Sequence, residues 1–114
     1  MKLAIVGSRT MGEEFYDLLK KNVPNGVTVI LSGGAQGADS LARRLAQERD
    51  IPLEEILPNY TIFGKVAPIV RNREIVQKAD LVLCLWDGKS PGTRNVISLC
   101  MELDKPFQLL EPEL

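Results

Sequence analysis

Apolar residues fall into two kinds of pattern along this chain. Short continuous runs come first: Leu3, Ala4, Ile5 and Val6, ended by Gly7, then the stretch 27–31 and the strongly apolar 81–86. Runs of this length without polar alternation read as strands covered on both faces. Two weaker stretches, 52–57 and 105–110, read as further strands, and Glu54 and Glu55 give the first an edge character. Between the runs, apolar residues recur three and four apart. Phe15, Leu18 and Leu19 follow Thr10-Met11-Gly12-Glu13, which has the form of a capping box. Leu41, Ala42, Leu45 and Ala46 form the inner stripe of a second helix. Ile75, Val76 and Ala79 continue a third, with Pro68 in its first turn, and Val96, Leu99, Cys100 and Leu103 mark a fourth. Residues 58–66 read as loop, and the acidic tail 111–114 is expected to fray.

The order βαβαβαβαβ predicts an α/β fold. A parallel five-stranded sheet would carry helices on both faces, as one three-layer, Rossmann-like domain over residues 1–114. Right-handed crossovers favour the strand order 3-2-1-4-5. Ligands in such sheets sit beyond the carboxyl ends of the strands, where the winding reverses. Here that point lies between strands 1 and 4, so the loops after strands 1, 2 and 4 should share one crevice.

Composition narrows the chemistry. Lys+Arg 14 against Asp+Glu 15 gives a net charge of −1, which argues against attachment to nucleic acid through global positive charge. The absence of histidine removes the commonest acid–base group and the commonest metal ligand. Cys84 and Cys100 lack metal-ligand or redox spacing and read as buried thiols in a reducing compartment. No run approaches a membrane span. The expectation is a soluble cytoplasmic protein without a membrane partner, metal or required cofactor.

The three loops carry the candidate site. After strand 2 the chain reads Ser32-Gly33-Gly34-Ala35-Gln36-Gly37 and then turns helical. Glycines let backbone amides close on an anion at a helix N-terminus, so the stretch reads as a phosphate cradle; a tight strand–helix turn is the plainer alternative. It is neither a P-loop nor a dinucleotide fingerprint. Asp39 follows, as a dipole partner for the helix or as a ligand for a ribose hydroxyl. The first loop offers Gly7, Ser8 and Arg9, the arginine suited to a phosphate or a base. Thr10 reads as a cap. The third offers Gly92 and Thr93 at another small-residue helix start, with Trp86 at the strand's end, to stack on a base or to pack in the core. Arg71 shares the inward face of Ile75 and Ala79 and so points to the crevice mouth, where either Glu74 or a ligand phosphate would be its partner.

Together "VGSRT", "LSGGAQGADSLA", "RNREIVQKADLVLCLW" and "PGTRNVISLCMELDKPF" resemble the SLOG superfamily, a DprA/LOG-like Rossmannoid group, and within it the small YspA/YpsA-related branch. The resemblance spans nearly the whole chain. It implies a nucleotide or nucleotide-like ligand in the crevice and a homodimer or higher homo-oligomer. It also adds Asn72 and Asn95 to the ligand-binding set. Its enzymatic members carry an Arg-Lys pair and a Gly-Thr-x-x-Glu loop. Arg71 matches the arginine and Gly92-Thr93 the Gly-Thr, but Asn72 replaces the lysine, and Arg94, Asn95 and Val96 stand where a glutamate is expected.

Three functions follow as expectations. The first is a sensor or regulatory module for a mononucleotide, ADP-ribose or NAD-like ligand. The second is a LOG-like phosphoribohydrolase with Arg71 and Asp39 as candidate catalytic residues and Asp39 or Asp87 in place of the missing glutamate; N-glycosidic cleavage normally needs a carboxylate. The third is DprA-like single-stranded DNA binding, to which Arg9, Arg43, Arg44, Arg71 and Arg94 would contribute. Tyr60 and Phe63 would stack on a base or cover a dimer contact.

Overall fold

The computed structural model of the chain describes residues 1–34 and 37–111. Five parallel strands form the sheet: β1 (Lys2–Gly7), β2 (Val29–Ser32), β3 (Leu53–Glu55), β4 (Leu81–Leu85) and β5 (Phe107–Leu110), in the order β3-β2-β1-β4-β5. Five helices accompany them: α1 (Tyr16–Asn22), α2 (Ala38–Glu48), α3 (Tyr60–Phe63), α4 (Ala67–Lys78) and α5 (Pro91–Glu102). This is the predicted Rossmann-like architecture.

Strand periodicity is concealed in sequence because both faces are apolar. In the structure the alternation is clean. Leu3 and Ile5 of β1, with Leu83 and Leu85 of β4, pack against Leu19 of α1 and Leu41, Ala42 and Leu45 of α2. Ala4 and Val6, with Val82 and Cys84, pack on the other face against Ile75 and Val76 of α4 and Val96, Leu99 and Cys100 of α5. Two cores therefore sandwich the sheet. Register places Ile5 beside Leu83 and Gly7 beside Leu85, which aligns the carboxyl ends of β1 and β4. At the β3 edge, Glu55 pairs with Arg43 of α2 at 2.8 Å and Glu54 with Lys78 of α4 at 3.0 Å. Successive side chains thus tie the edge strand to the helix on each face.

Two local expectations fail. Residues 58–66 are not loop: α3 forms under a cap in which Asn59 Oδ1 accepts the Ile62 amide at 3.2 Å, and a 3₁₀ turn (Gly64–Val66) follows. Thr10 caps no helix. Its hydroxyl donates to Asp87 Oδ2 at 3.2 Å, and a 3₁₀ turn (Glu13–Phe15) starts from Gly12 without a side-chain cap. The Met11 amide bonds the Ser8 carbonyl, and this turn carries Thr10 toward the loop after β4 instead. Among the described residues no helix is long and apolar enough to cross a membrane.

Candidate functional site

A cleft of about 420 Å³ opens at the carboxyl edge of the sheet between β1 and β4. Val6, Ile75 and Val96 give it an apolar floor, and the loops after β1, β2 and β4 supply the walls.

Ser8 joins these loops. It is 1% exposed. Its amide donates to Leu85 O at 2.9 Å, its carbonyl accepts the Met11 and Ala38 amides at 3.2 Å each, and its hydroxyl accepts the Asp87 amide at 3.2 Å. Two glycines permit this convergence. A Cβ on Gly7 would lie 2.2 Å from Leu85 O, and one on Gly37 would lie 2.4 Å from Ser8 O, at a φ of +72°. Both positions therefore require glycine because backbone approaches backbone.

Two amides flanking the undescribed part of the glycine loop after β2 have acceptors within the protein. The Gly34 amide donates to Ser32 Oγ at 3.3 Å, and the Ala38 amide, first in α2, donates to Ser8 O. Gly34 has a φ of +73° and faces Leu57 and Glu55. Gly33 and Asp39 line the cleft, Ser32 is buried beneath it, and Ala35 lies outside the described residues.

The loop after β4 is held by Asp87. Its Oδ1 accepts the Lys89 and Ser90 amides at 2.8 Å each, its Oδ2 accepts the Thr10 hydroxyl at 3.2 Å, and the Ser8 hydroxyl also acts on the carboxylate. These donors stabilise the anion and hold the carboxyl down at about 2. Ser90, Pro91, Gly92 and Thr93 then open α5 against the cleft. Pro91 has no amide hydrogen, while those of Gly92 and Thr93 fall in the first turn, where no intrahelical acceptor exists. Nothing lies within 4 Å of a Cβ built on Gly92. The positive end of this 12-residue helix is thus bare toward the cleft.

Arg71 closes the opposite wall. Its Nη1 donates to Gly33 O at 2.9 Å and its Nε to Asn72 Oδ1 at 2.9 Å. Asn72 in turn donates through Nδ2 to Asn95 Oδ1 at 3.1 Å. The guanidinium is half-buried, and burial lowers its pKa, with the Asp39 charge acting against that shift. Glu74, the alternative partner, pairs instead with Lys78 at 3.5 Å. Arg71 and Arg9 both line the cleft, and Asp39 stands in the same wall.

The structure therefore gathers Gly7, Ser8, Arg9, Gly33, Asp39, Arg71, Asn72, Gly92 and Thr93 at one cleft. Gly34, Gly37, Trp86 and Asn95 are not in its wall. Trp86 donates through Nε1 to Ser90 O at 3.1 Å and has the Arg94 guanidinium 5.9 Å from its ring, so its indole braces the loop. Asn95 reaches the cleft only through Asn72. The sequence reading passed over Thr10, Pro68, Ser90 and Pro91 as lining residues. The expected meeting of the first and third loops hinted at Thr10, Ser90 and Pro91, and Pro68 follows from its place one turn before Arg71 on α4.

No protein-family model and no curated protein matches the chain. Among solved structures, DNA processing protein A from Helicobacter pylori, described for its single-stranded DNA binding mode, aligns with 100% of this chain at a TM-score of 0.75 and 24% identity. The chain spans 66% of that protein, just under two thirds of its length. The C-terminal domain of a hydrogenase from Pyrococcus furiosus aligns with 96% of this chain and 90% of its own, at a TM-score of 0.54 and 19% identity. What these likenesses establish is the architecture: the chain folds as the Rossmann-like α/β domain of DNA processing protein A does.

Proposed function

We propose that the chain is a SLOG-type module that binds a nucleotide or nucleotide-derived ligand in the cleft between β1 and β4, as a sensor or regulatory unit. The observation that carries this reading is the pair of guanidiniums, Arg9 and Arg71, lining one cleft opposite the N-terminus of α5, which has no side-chain cap. The hydrogen bonds of half-buried Arg71 run to a carbonyl and an amide oxygen, which do not neutralise its charge, so the guanidinium is suited to an anion. The phosphate is assigned to Arg71, Arg9 and the Gly92 and Thr93 amides; the amides of Gly34 and of Ala38, first in α2, already have acceptors. Asp39 then faces the ribose. The cleft volume is within the range of small-molecule sites.

Two carboxylates weigh against hydrolysis, which leaves Asp39 as the candidate in the cleft wall. A general acid or base works best with a pKa near the operating pH. Asp87 is held near 2. Glu102, the first carboxylate in α5, is engaged by Arg73 at 3.0 Å.

Isothermal calorimetry with adenosine 5′-monophosphate, ADP-ribose and inorganic phosphate tests the proposal, alongside chromatography for released base. Saturable binding that is weakened in Arg71→Ala and Arg9→Ala, without base release, is the expected result. Wild-type binding retained by both variants would remove the site.

The likeness to DNA processing protein A supports a second reading, single-stranded DNA in the same cleft. Two of its arginines are unavailable: Arg43 pairs with Glu55, and Arg44 with Glu13 and Glu48. Titration of a labelled oligothymidylate at two salt concentrations separates the readings. A strand contacting several phosphates gives a log K against log salt slope of about −0.7 per contact.

A further inference from the structure

Glycine follows an asparagine or an aspartate at two places, Asn25-Gly26 and Asp87-Gly88. At such a pair the glycine amide nitrogen can close on the preceding side-chain carbonyl to form a cyclic imide, because glycine has no side chain to obstruct the approach. In backbone the two pairs are alike. Gly26 and Gly88 are both exposed, each has a φ of +83°, and nothing lies within 4 Å of a Cβ built on either. Their side chains differ. Asp87 is tied down: its Oδ1 accepts the Lys89 and Ser90 amides and its Oδ2 the Thr10 hydroxyl. The same donors keep it ionised, and a carboxylate anion resists attack at its carbon. Asn25 is exposed in the turn between α1 and β2 and has no side-chain hydrogen bond among the described residues. Its amide stays neutral, so ammonia can leave. The other four asparagines precede residues with side chains, and each is held: Asn22 by Leu18 O, Asn59 by the Ile62 amide, and Asn72 and Asn95 by one another.

We propose that Asn25 is a site of covalent modification, converting to aspartate and isoaspartate through a cyclic imide, while the hydrogen bonds of Asp87 protect the equivalent pair beside the cleft. The Gly26 nitrogen bonds to Asn25 Cγ as the Cγ–Nδ2 bond breaks, and ammonia leaves with the proton of the Gly26 amide. Water then adds across the imide. Opening at Cγ gives aspartate, and opening at the Asn25 main-chain carbonyl carbon routes the chain through Cβ as isoaspartate. Water is the only co-reactant. Each product carries one more negative charge than the starting chain. The turn precedes β2, so it lies at the amino edge of the sheet, whereas the cleft lies at the carboxyl edge. Exposed turns tolerate such a change, and the modified chain keeps its fold. An exposed isoaspartyl carboxylate is in turn a methyl acceptor from S-adenosylmethionine, which names the chemistry of an enzyme partner for the aged chain.

Ageing the full chain in mildly alkaline buffer tests the proposal, with Asn25→Ser and the urea-unfolded chain in parallel. Peptide mapping by electron-transfer mass spectrometry tells aspartate from isoaspartate. Protein-L-isoaspartate methyltransferase with tritiated S-adenosylmethionine counts isoaspartyl groups. Expected in the folded chain is an amide-to-acid mass gain confined to the peptide containing Asn25. Methyl acceptance should grow with ageing and be lost in Asn25→Ser, and isoaspartate should form at Asp87 in the unfolded chain alone. Circular dichroism should show the aged chain folded. An Asn25 amide that survives ageing of the folded chain would overturn the proposal. So would methyl acceptance undiminished in Asn25→Ser, or isoaspartate forming at Asp87 as fast in the folded chain as in the unfolded one.

Discussion

The side chain that decides most is Arg71. It leans on Gly33 O and on Asn72 Oδ1, and Asn72 is itself held by Asn95. Truncating Arg71 removes a charged hydrogen bond to the proposed phosphate, so Arg71→Ala should weaken nucleotide binding by ~1.5–3 kcal/mol, roughly 10- to 150-fold in calorimetry. Asn95→Ala should act in the same direction but less, since it frees Asn72 to turn away without removing the guanidinium. A melting temperature close to wild type would separate this from general damage. Asp87 supplies a pH signature. Its folded pKa, about 2, lies below the ordinary aspartate value near 3.9. Its contribution to stability is therefore complete above about pH 4 and is lost as the pH falls toward 2. Urea midpoints across that window should decline in the wild type, and Asp87→Asn should flatten the decline. Burial pushes the Cys84 thiol up to about 12 and that of Cys100 to about 11. Both should therefore react with a thiol reagent only on unfolding.

At the scale of elements, the site is made by helix starts. α2 and α5 both open at the carboxyl edge, yet they present different surfaces. The start of α2 is pulled against the first loop: Ala38 donates to Ser8 O, and Gly37 permits the approach. That of α5 stays bare beside Gly92. Substitutions at these glycines should separate the two roles. Gly37→Ala and Gly7→Ala force a Cβ into backbone, so each should lower unfolding stability by more than ~1 kcal/mol in urea titration. Gly92→Asp meets no neighbour and adds a negative charge at a helix N-terminus, which is favourable by ~0.3–1 kcal/mol. It should leave the fold intact and abolish anion binding. A variant that keeps nucleotide affinity would show that the α5 terminus holds no phosphate. Within the glycine-rich stretch, Gly37 allows a close approach of backbone to backbone.

Across the whole molecule, the apolar segment 57–69 and the cleft share α4: Ile69 stands on the exposed side, and Pro68 and Arg71 line the cleft. Arg71 also borders a second hollow, with Leu57 and Phe63. The sequence by itself determined the α/β class, the strand order and the three loops that meet. Apolar runs and 3.6-residue stripes are local signals, and crossover handedness leaves few topologies. It also supplied Arg9, Arg71, Gly92 and Thr93, because each can be placed by counting along its own element. What it left open depends on atoms distant in the chain. Thr10 turned from a cap into a partner of Asp87, 77 residues away. Trp86 was drawn into bracing the loop by Ser90 and Arg94, and Asn95 was joined to Asn72. Amides of a glycine loop look alike in sequence whether they face solvent or a carbonyl of another loop. Only the tertiary structure decides, because a hydrogen bond forms with whichever acceptor the packing brings within about 3 Å.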